Sequence, residues 1–351
     1  QEMFKQKRKH LPIRIGELIP VESFQSTHIN KRYLTNLMKK HLYRIGMGKP
    51  GLFATQSAIA LPEDRKTLKQ AIKNECEYLG ETADNKQIYL FEHIASSPIM
   101  REIGRLREIA FRAVGEGSNK RRDIDTYDSD YYHLILWDND DLEIAGAYRI
   151  GDAKRIIEKR DVKGLYSASL FDYDDSMAPY FEYGLELGRS FVQPRYWGKR
   201  SLDYLWYGIG AFLQHHPDYR YLFGPVSLSN SYPDVAKNLI VQFYQEYFPA
   251  QQTLAKSKRP FQATPDSPFE GLDYKQEFSV LKHKLANVGV SIPTLYKQYS
   301  ETYESGGVQF VDFNIDPDFN DCIDGLIVGD VHKMTAKKRK RYLTSKLEKA
   351  C

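Results

Sequence analysis

Four short pieces of this sequence hold residues that can recognise ions and move protons. Arg107 and Phe111 stand one helical turn apart, and Asp125 and Asp128 flank Thr126 and Tyr127. Arg149 ends an apolar run 21 residues after Asp128, and Glu186 and Arg189 share the segment GLELGRSFV. A charge at the end of an apolar strand is costly unless a partner meets it. Two aspartates, two or three arginines and one glutamate can pair among themselves around a cleft. The same set can hold a zwitterion, carboxylates taking its amine and guanidinium forks its carboxylate.

The elements that must position these residues are readable from periodicity. A helix over about 98–113 carries Arg107 and Phe111. Strands at 131–137 and 143–150 follow, joined by the turn Asp138-Asn139-Asp140-Asp141. Further strands are expected near 167–172, at 183–192 and at 220–226, with helices at 200–214 and about 234–247. Upstream, 11–20 alternates between prolines like a strand. Asn30 then caps a basic helix to about Gly46, whose Leu34, Leu37, Met38, Leu42 and Ile45 share a face. Residues 47–62 read as a linker, 64–79 as a helix and 87–91 as a strand; 293–299 and 308–313 give no clear period. The order is that of an α+β fold.

Composition narrows the function class. Hydrophobic residues make up 42% of the 351 and charged residues 27%, which excludes a fibrous or wholly disordered chain. No apolar run approaches the roughly 18 residues of a membrane span, and residues 1–10 lead into no signal-peptide core. The chain opens on Gln1 rather than Met, as a processed or excised chain would. The three cysteines are far apart, which fits a reducing, cytoplasmic compartment, and no His, Cys and carboxylate cluster has metal-ligand spacing. Net charge is +8 over residues 1–50 and +7 over 332–351, on a body of about −11. Basic ends suit an anionic partner, either a membrane surface on the inner leaflet or an acidic carrier protein; no nucleic-acid motif is present.

The segments LREIAF, DIDTYD, GAYR and LELGRSFV resemble the acyl-homoserine-lactone synthases and, more closely, the hemolysin-like ornithine-lipid N-acyltransferases. Arg107, Phe111, Asp125, Asp128, Arg149, Glu186 and Arg189 each fall on a position of that shared pattern. The resemblance covers about 90–250, and implies a GNAT-like mixed sheet flanked by helices. Residues 1–60 resemble the end of a glycerolipid acyltransferase domain, so the expected division is 1–60 for that remnant, 61–90 for a linker and helix, 91–330 for the GNAT-like domain and 331–351 for a basic tail. His133 and Asp138 formally match the His-x4-Asp of the O-acyltransferases, but they sit in a strand pattern with no phosphate motif after them, so no O-acyl chemistry is expected.

The activity implied is transfer of a 3-hydroxyacyl group from acyl carrier protein to an amino acid's α-amine, ornithine first, with glycine or another amine as the alternative. A membrane-associated binding module is the non-enzymatic alternative. No tightly bound cofactor is implied; a coenzyme A thioester is the other form of the donor. Glu186 is the first candidate for base, or else a buried partner of Arg149 or Arg189. Tyr244 falls where a general acid for the thiolate would stand, or is simply packed. Arg107, Arg149 and Arg189 would clamp a carboxylate or brace the acids, Asp125 and Asp128 would anchor the amine, and Phe111 would wall the acyl pocket or fill the core. Ser227 and Asn230, in a strand-to-helix loop, would touch substrate or cap the helix. The backbone of Phe191 and Val192 would face the thioester. Arg195, Gly198, Lys199 and Arg200 stand where GNAT proteins keep a phosphate loop. Arg200 replaces the loop's second small residue, which suits a carrier protein better than a pyrophosphate.

Overall fold

The computed structural model describes residue 13 and residues 15–25, 30–271 and 273–344. Among these the chain divides into two compact units, one within Gln1–Ala60 plus Asn119–Arg121, the other within Leu61–Ser118 and Arg122–Cys351.

The first unit contains the single turn α1 (Glu22–Gln25) and helix α2 (Lys31–Gly46). Asn30 Oδ1 accepts from the Tyr33 N–H (2.9 Å) and starts α2 as expected. His41 is buried, and its Nδ1 accepts from the N–H groups of Leu52 (2.9 Å) and Phe53 (3.2 Å), so the neutral ring carries its proton on Nε2. The strand expected over 11–20 is corrected: residues 11, 12 and 14 lie outside the described residues, and the remainder makes one isolated bridge, Leu18 to Gln56. Alternation alone makes no ladder where no neighbouring strand runs alongside.

The second unit is built on helices α3 (Arg65–Glu75), α4 (Pro98–Arg112), α5 (Ala153–Arg160), α6 (Ala178–Glu182), α7 (Ser201–His215), α8 (Asp234–Tyr247), α9 (Tyr274–Asn287), α10 (Thr294–Ser300) and α11 (Ala336–Arg339). Its strands are β1 (Cys76–Glu81), β2 (Lys86–Glu92), β3 (Tyr132–Asp138), β4 (Glu143–Asp152), β5 (Phe171–Tyr173), β6 (Gly184–Val192), β7 (Tyr221–Leu228), β8 (Ala255–Ser257), β9 (Val308–Asp316) and β10 (Cys322–Asp330). Eight strands form one sheet in the order β1-β2-β3-β4-β6-β7-β10-β9, and β5 pairs with β8 apart from it. Residues 61–90 are thus no linker; they supply α3, β1 and most of β2. The helix expected to reach residue 79 stops at Glu75, where the chain turns into the ladder Cys76↔Phe91 to Glu81↔Gln87.

Strand alternation sorts the core. Leu134 and Leu136 of β3 face one way with Leu205 and Ile209 of α7, while Ile135 and Trp137 face the other with Leu68 of α3 and Leu106 of α4. The pairing of β6 with β7 is parallel and lasts only from Gly184–Tyr221 to Glu186–Phe223. Beyond it the two strands separate. A Cβ at Gly224 would lie 2.1 Å from the Leu187 carbonyl oxygen, so this close approach at the fork requires glycine. The described part of the basic C-terminal segment is packed on α7: Tyr342 is buried, lies against the rings of Trp206 and Tyr207, and donates to Asp203 (2.9 Å). No helix among the described residues is long and apolar enough to cross a membrane.

Candidate active site

Helix α4 starts at Ser97, whose Oγ accepts from the Ile99 N–H (3.1 Å), and Pro98 fills its first turn. Its inner face carries Arg107 and Phe111. Arg107 forks onto Asp128, with Nη1 to Oδ1 at 3.0 Å and Nη2 to Oδ2 at 2.8 Å, and also donates to the Asp123 carbonyl. Arg149 on β4 donates through Nη1 to Asp125 (2.8 and 2.9 Å) and to Asp128 (3.2 Å). Asp125 Oδ1 in turn accepts from the N–H groups of Tyr127 and Asp128, so the two aspartates fold their own loop. Burial opposes charge on Asp128, but Arg107 and Arg149 outweigh it and hold the carboxyl well below the usual range. Arg107 and Asp128 are 1% and 0% exposed. These four residues form a closed ionic knot.

Arg189 is different. It stands at a bulge of β6, between the pairs Arg149↔Gly188 and Ala147↔Phe191, at φ +49°. Its guanidinium lies between the rings of Tyr166 (4.7 Å) and Phe319 (4.8 Å). It makes one hydrogen bond, from Nη2 to Asp125 (3.3 Å), and its buried Nε has no hydrogen-bond partner among the described residues. It lines a pocket of about 90 Å³ in the fork between β6 and β7, together with Phe111, Glu116, Tyr166, Ser227 and Asp324. Gly115, at φ +80°, reverses the chain after α4, and the Glu116 N–H bonds back to the Phe111 carbonyl (2.8 Å). The Glu116 carboxyl is pushed up to about 8 by burial and then by the charge of Asp324, with Arg189 opposing. Asp324, on β10 directly opposite Ser227 and accepting from its hydroxyl (2.8 Å), is raised to about 7 by burial and then by Asp316.

A second cavity, of about 610 Å³, adjoins this pocket. The two share Ser190 and Leu295 in their walls. Phe191 and Val192 line the larger cavity at the free end of β6, with Trp197, Gly198 and Lys199 on the loop before α7. Its size falls within the usual range for ligand clefts. Arg195 sits outside that lining, paired with Asp141 and with Glu143 (2.7 Å), and Arg200 pairs with Asp203 (3.4 Å).

Three other candidates lie apart from both cavities. Glu186 is 2% exposed, and its carboxylate accepts from the Tyr131 hydroxyl and from the N–H groups of Tyr166 (3.1 Å) and Ser167 (2.6 Å). Tyr244 is fully buried on α8 against Tyr296 and Phe310. Asn230 accepts from Lys237 Nζ (2.9 Å). His133 is a buried residue of β3, with Nε2 3.1 Å from the Asp128 carbonyl and its pKa lowered by burial to about 4.

The pattern of the acetyltransferase (GNAT) domain matches residues 106–207, from inside α4 to inside α7. The chain is 30% identical over 305 residues to the glycine Nα-acyltransferase of Phocaeicola vulgatus, covering 82% of this chain and 93% of that protein. It is 30% identical over 308 residues to the enzyme of the same name from Bacteroides thetaiotaomicron, covering 83% and 90%. The chain belongs to the amino-acid Nα-acyltransferases. A shorter match, 32% identical over 117 residues, joins it to the L-ornithine Nα-acyltransferase of Agrobacterium fabrum, covering 32% of this chain and 39% of that protein.

The acyltransferase therefore has a GNAT fold and acts on an amino acid's α-amine. Sequence reasoning passed over Glu116, Tyr166, Leu295, Phe319 and Asp324. One signal was available for Asp324: an acid inside the apolar run CIDGLIVGD needs a reason to be there. Glu116 gave no local signal, because GEGSN reads as an ordinary exposed turn.

Proposed function

We propose that this acyltransferase moves a 3-hydroxyacyl group from acyl carrier protein to glycine. The small pocket carries the reading. Its roughly 90 Å³ is the volume of about three liquid waters, while an ornithine substrate adds a propylammonium arm. The pocket offers Arg189 to a carboxylate and Glu116 with Asp324 to an amine, so a small zwitterion is matched at both ends. The amine would enter through the wall shared by Ser190 and Leu295, which faces the larger cavity where the thioester would lie. In that placement the unpaired backbone of β6 supplies N–H groups to the tetrahedral oxyanion. The relatives that align along most of the chain carry glycine in their names, whereas the ornithine relatives align over about a third of it. Lys199 and Arg200, at and beside the mouth of the larger cavity, are the cations offered to an acidic carrier.

The test is a reaction of purified chain with 3-hydroxyacyl-carrier protein and equal glycine and ornithine, read by mass spectrometry. N-acylglycine is expected. N-acylornithine would move the acceptor's ammonium arm onto Glu116 and Asp324 and replace the substrate. An intact thioester with neither product would overturn the reading.

A further inference from the structure

The acceptor's nitrogen arrives as an ammonium and must lose a proton before it can attack. An ordinary carboxylate is a poor base for that purpose, since its pKa of about 4 lies far below that of an amine. The pocket contains a carboxylate set apart from every other acid of the site. Glu116 is tied by its backbone to the last turn of α4, yet its carboxylate takes no hydrogen bond from any described residue. It faces Arg189 from β6 and Asp324 from β10, and the Cys322 thiol and the phenols of Tyr232 and Tyr296 also lie within reach of its charge. Glu186, by contrast, has both oxygens occupied by its own fold.

We infer that Glu116 receives the acceptor's α-ammonium and takes its proton, while Arg189 holds the carboxylate. This rests on the small-zwitterion reading of the pocket. The step balances without a further reactant. One nitrogen proton passes to the Glu116 carboxylate. The freed lone pair then forms the C–N bond as the C–S bond breaks, and the second proton goes to the departing thiolate. The proton on Glu116 returns to solvent. A carboxyl raised to about 8 narrows the gap to the amine and makes the first transfer feasible near neutral pH.

The experiment compares the wild-type enzyme with Glu116→Gln across pH 6–9.5, on whichever amine the wild type acylates. The expected result is a loss of roughly 100-fold in kcat/KM at pH 7. That loss should shrink by about tenfold per pH unit as solvent supplies neutral amine, while the wild-type rate levels off above about pH 8. A variant with wild-type rates at pH 7, or a loss that alkali does not repair, overturns the inference. Competition by glycolate on the wild type needs no variant. Glycolate keeps the carboxylate and replaces the ammonium by a hydroxyl, so it should compete about tenfold or more weakly than glycine binds. Equal binding would also overturn the role of Glu116. A wild type that acylates no amine fails at the earlier step and rejects the zwitterion reading itself.

Discussion

The ionic knot and the acceptor pocket are made of the same residue types and lie side by side, yet they are finished to different degrees. In the knot each carboxylate has a guanidinium or a backbone N–H on it: Arg107 on Asp128, Arg149 on Asp125 and Asp128, and two loop N–H groups on Asp125. In the pocket Arg189 makes one long hydrogen bond, and the Glu116 carboxylate makes none with the described residues. Arg189 touches both regions, since its one bond goes to Asp125 of the knot. A completed set of buried charges holds a loop in place, and an incomplete one is shaped for a molecule that completes it. Residue type alone does not separate the two; counting each group's partners does.

That contrast is open to attack from its strongest side first. Arg107→Ala leaves Asp128 buried without its fork, and a loss of about 3–5 kcal/mol in unfolding free energy is expected. Denaturant melts within error of wild type would mean that the knot holds nothing together. Next, the pocket can be filled while the knot is spared. A Cβ at Gly188 meets no heavy atom within 4 Å, so Gly188→Val should fold and raise the KM for the acceptor by about tenfold, a cost of roughly 1.4 kcal/mol. An unchanged KM would place the acceptor elsewhere. The smallest effect is on stability against pH. The Asp324 carboxyl is raised in the folded state to about 7, so folding favours its protonated form. That contribution is fully present below the unfolded value of about 4 and is lost as pH rises through 7. Asp324→Asn should therefore be more stable than wild type at pH 8–9, by on the order of 1 kcal/mol, with no advantage at pH 4. Parallel melts at both pH values check the sign, and an advantage at pH 4 alone would reject it.

Much of the frame was legible because its elements are amphipathic. Helix α4 and strands β3, β4 and β6 were located to within a residue or two by apolar spacing and caps. Strand β10 was not, since all but its last residue are buried and an entirely buried strand carries no alternation. Of the site, Arg189 was legible by type and segment, and Phe191, Val192, Gly198 and Lys199 by their place after the fork. Glu116 was not, because its burial comes from β6 and β10, distant in sequence. Glu186 illustrates the converse: its segment is recognisable, but only the surroundings reveal that backbone N–H groups and a tyrosine already occupy it.

The single parallel seam between β6 and β7 has a consequence for how the molecule is made. The larger cavity is walled chiefly by residues 114–202, whereas Asp324 reaches the smaller pocket only through the β7–β10 ladder. A ribosome completes the compartment for the acyl donor long before it supplies the strand that finishes the acceptor's compartment. Until the chain has been synthesised past residue 324, the growing polypeptide has a place for the activated acyl group and no finished place for the amine that must intercept it.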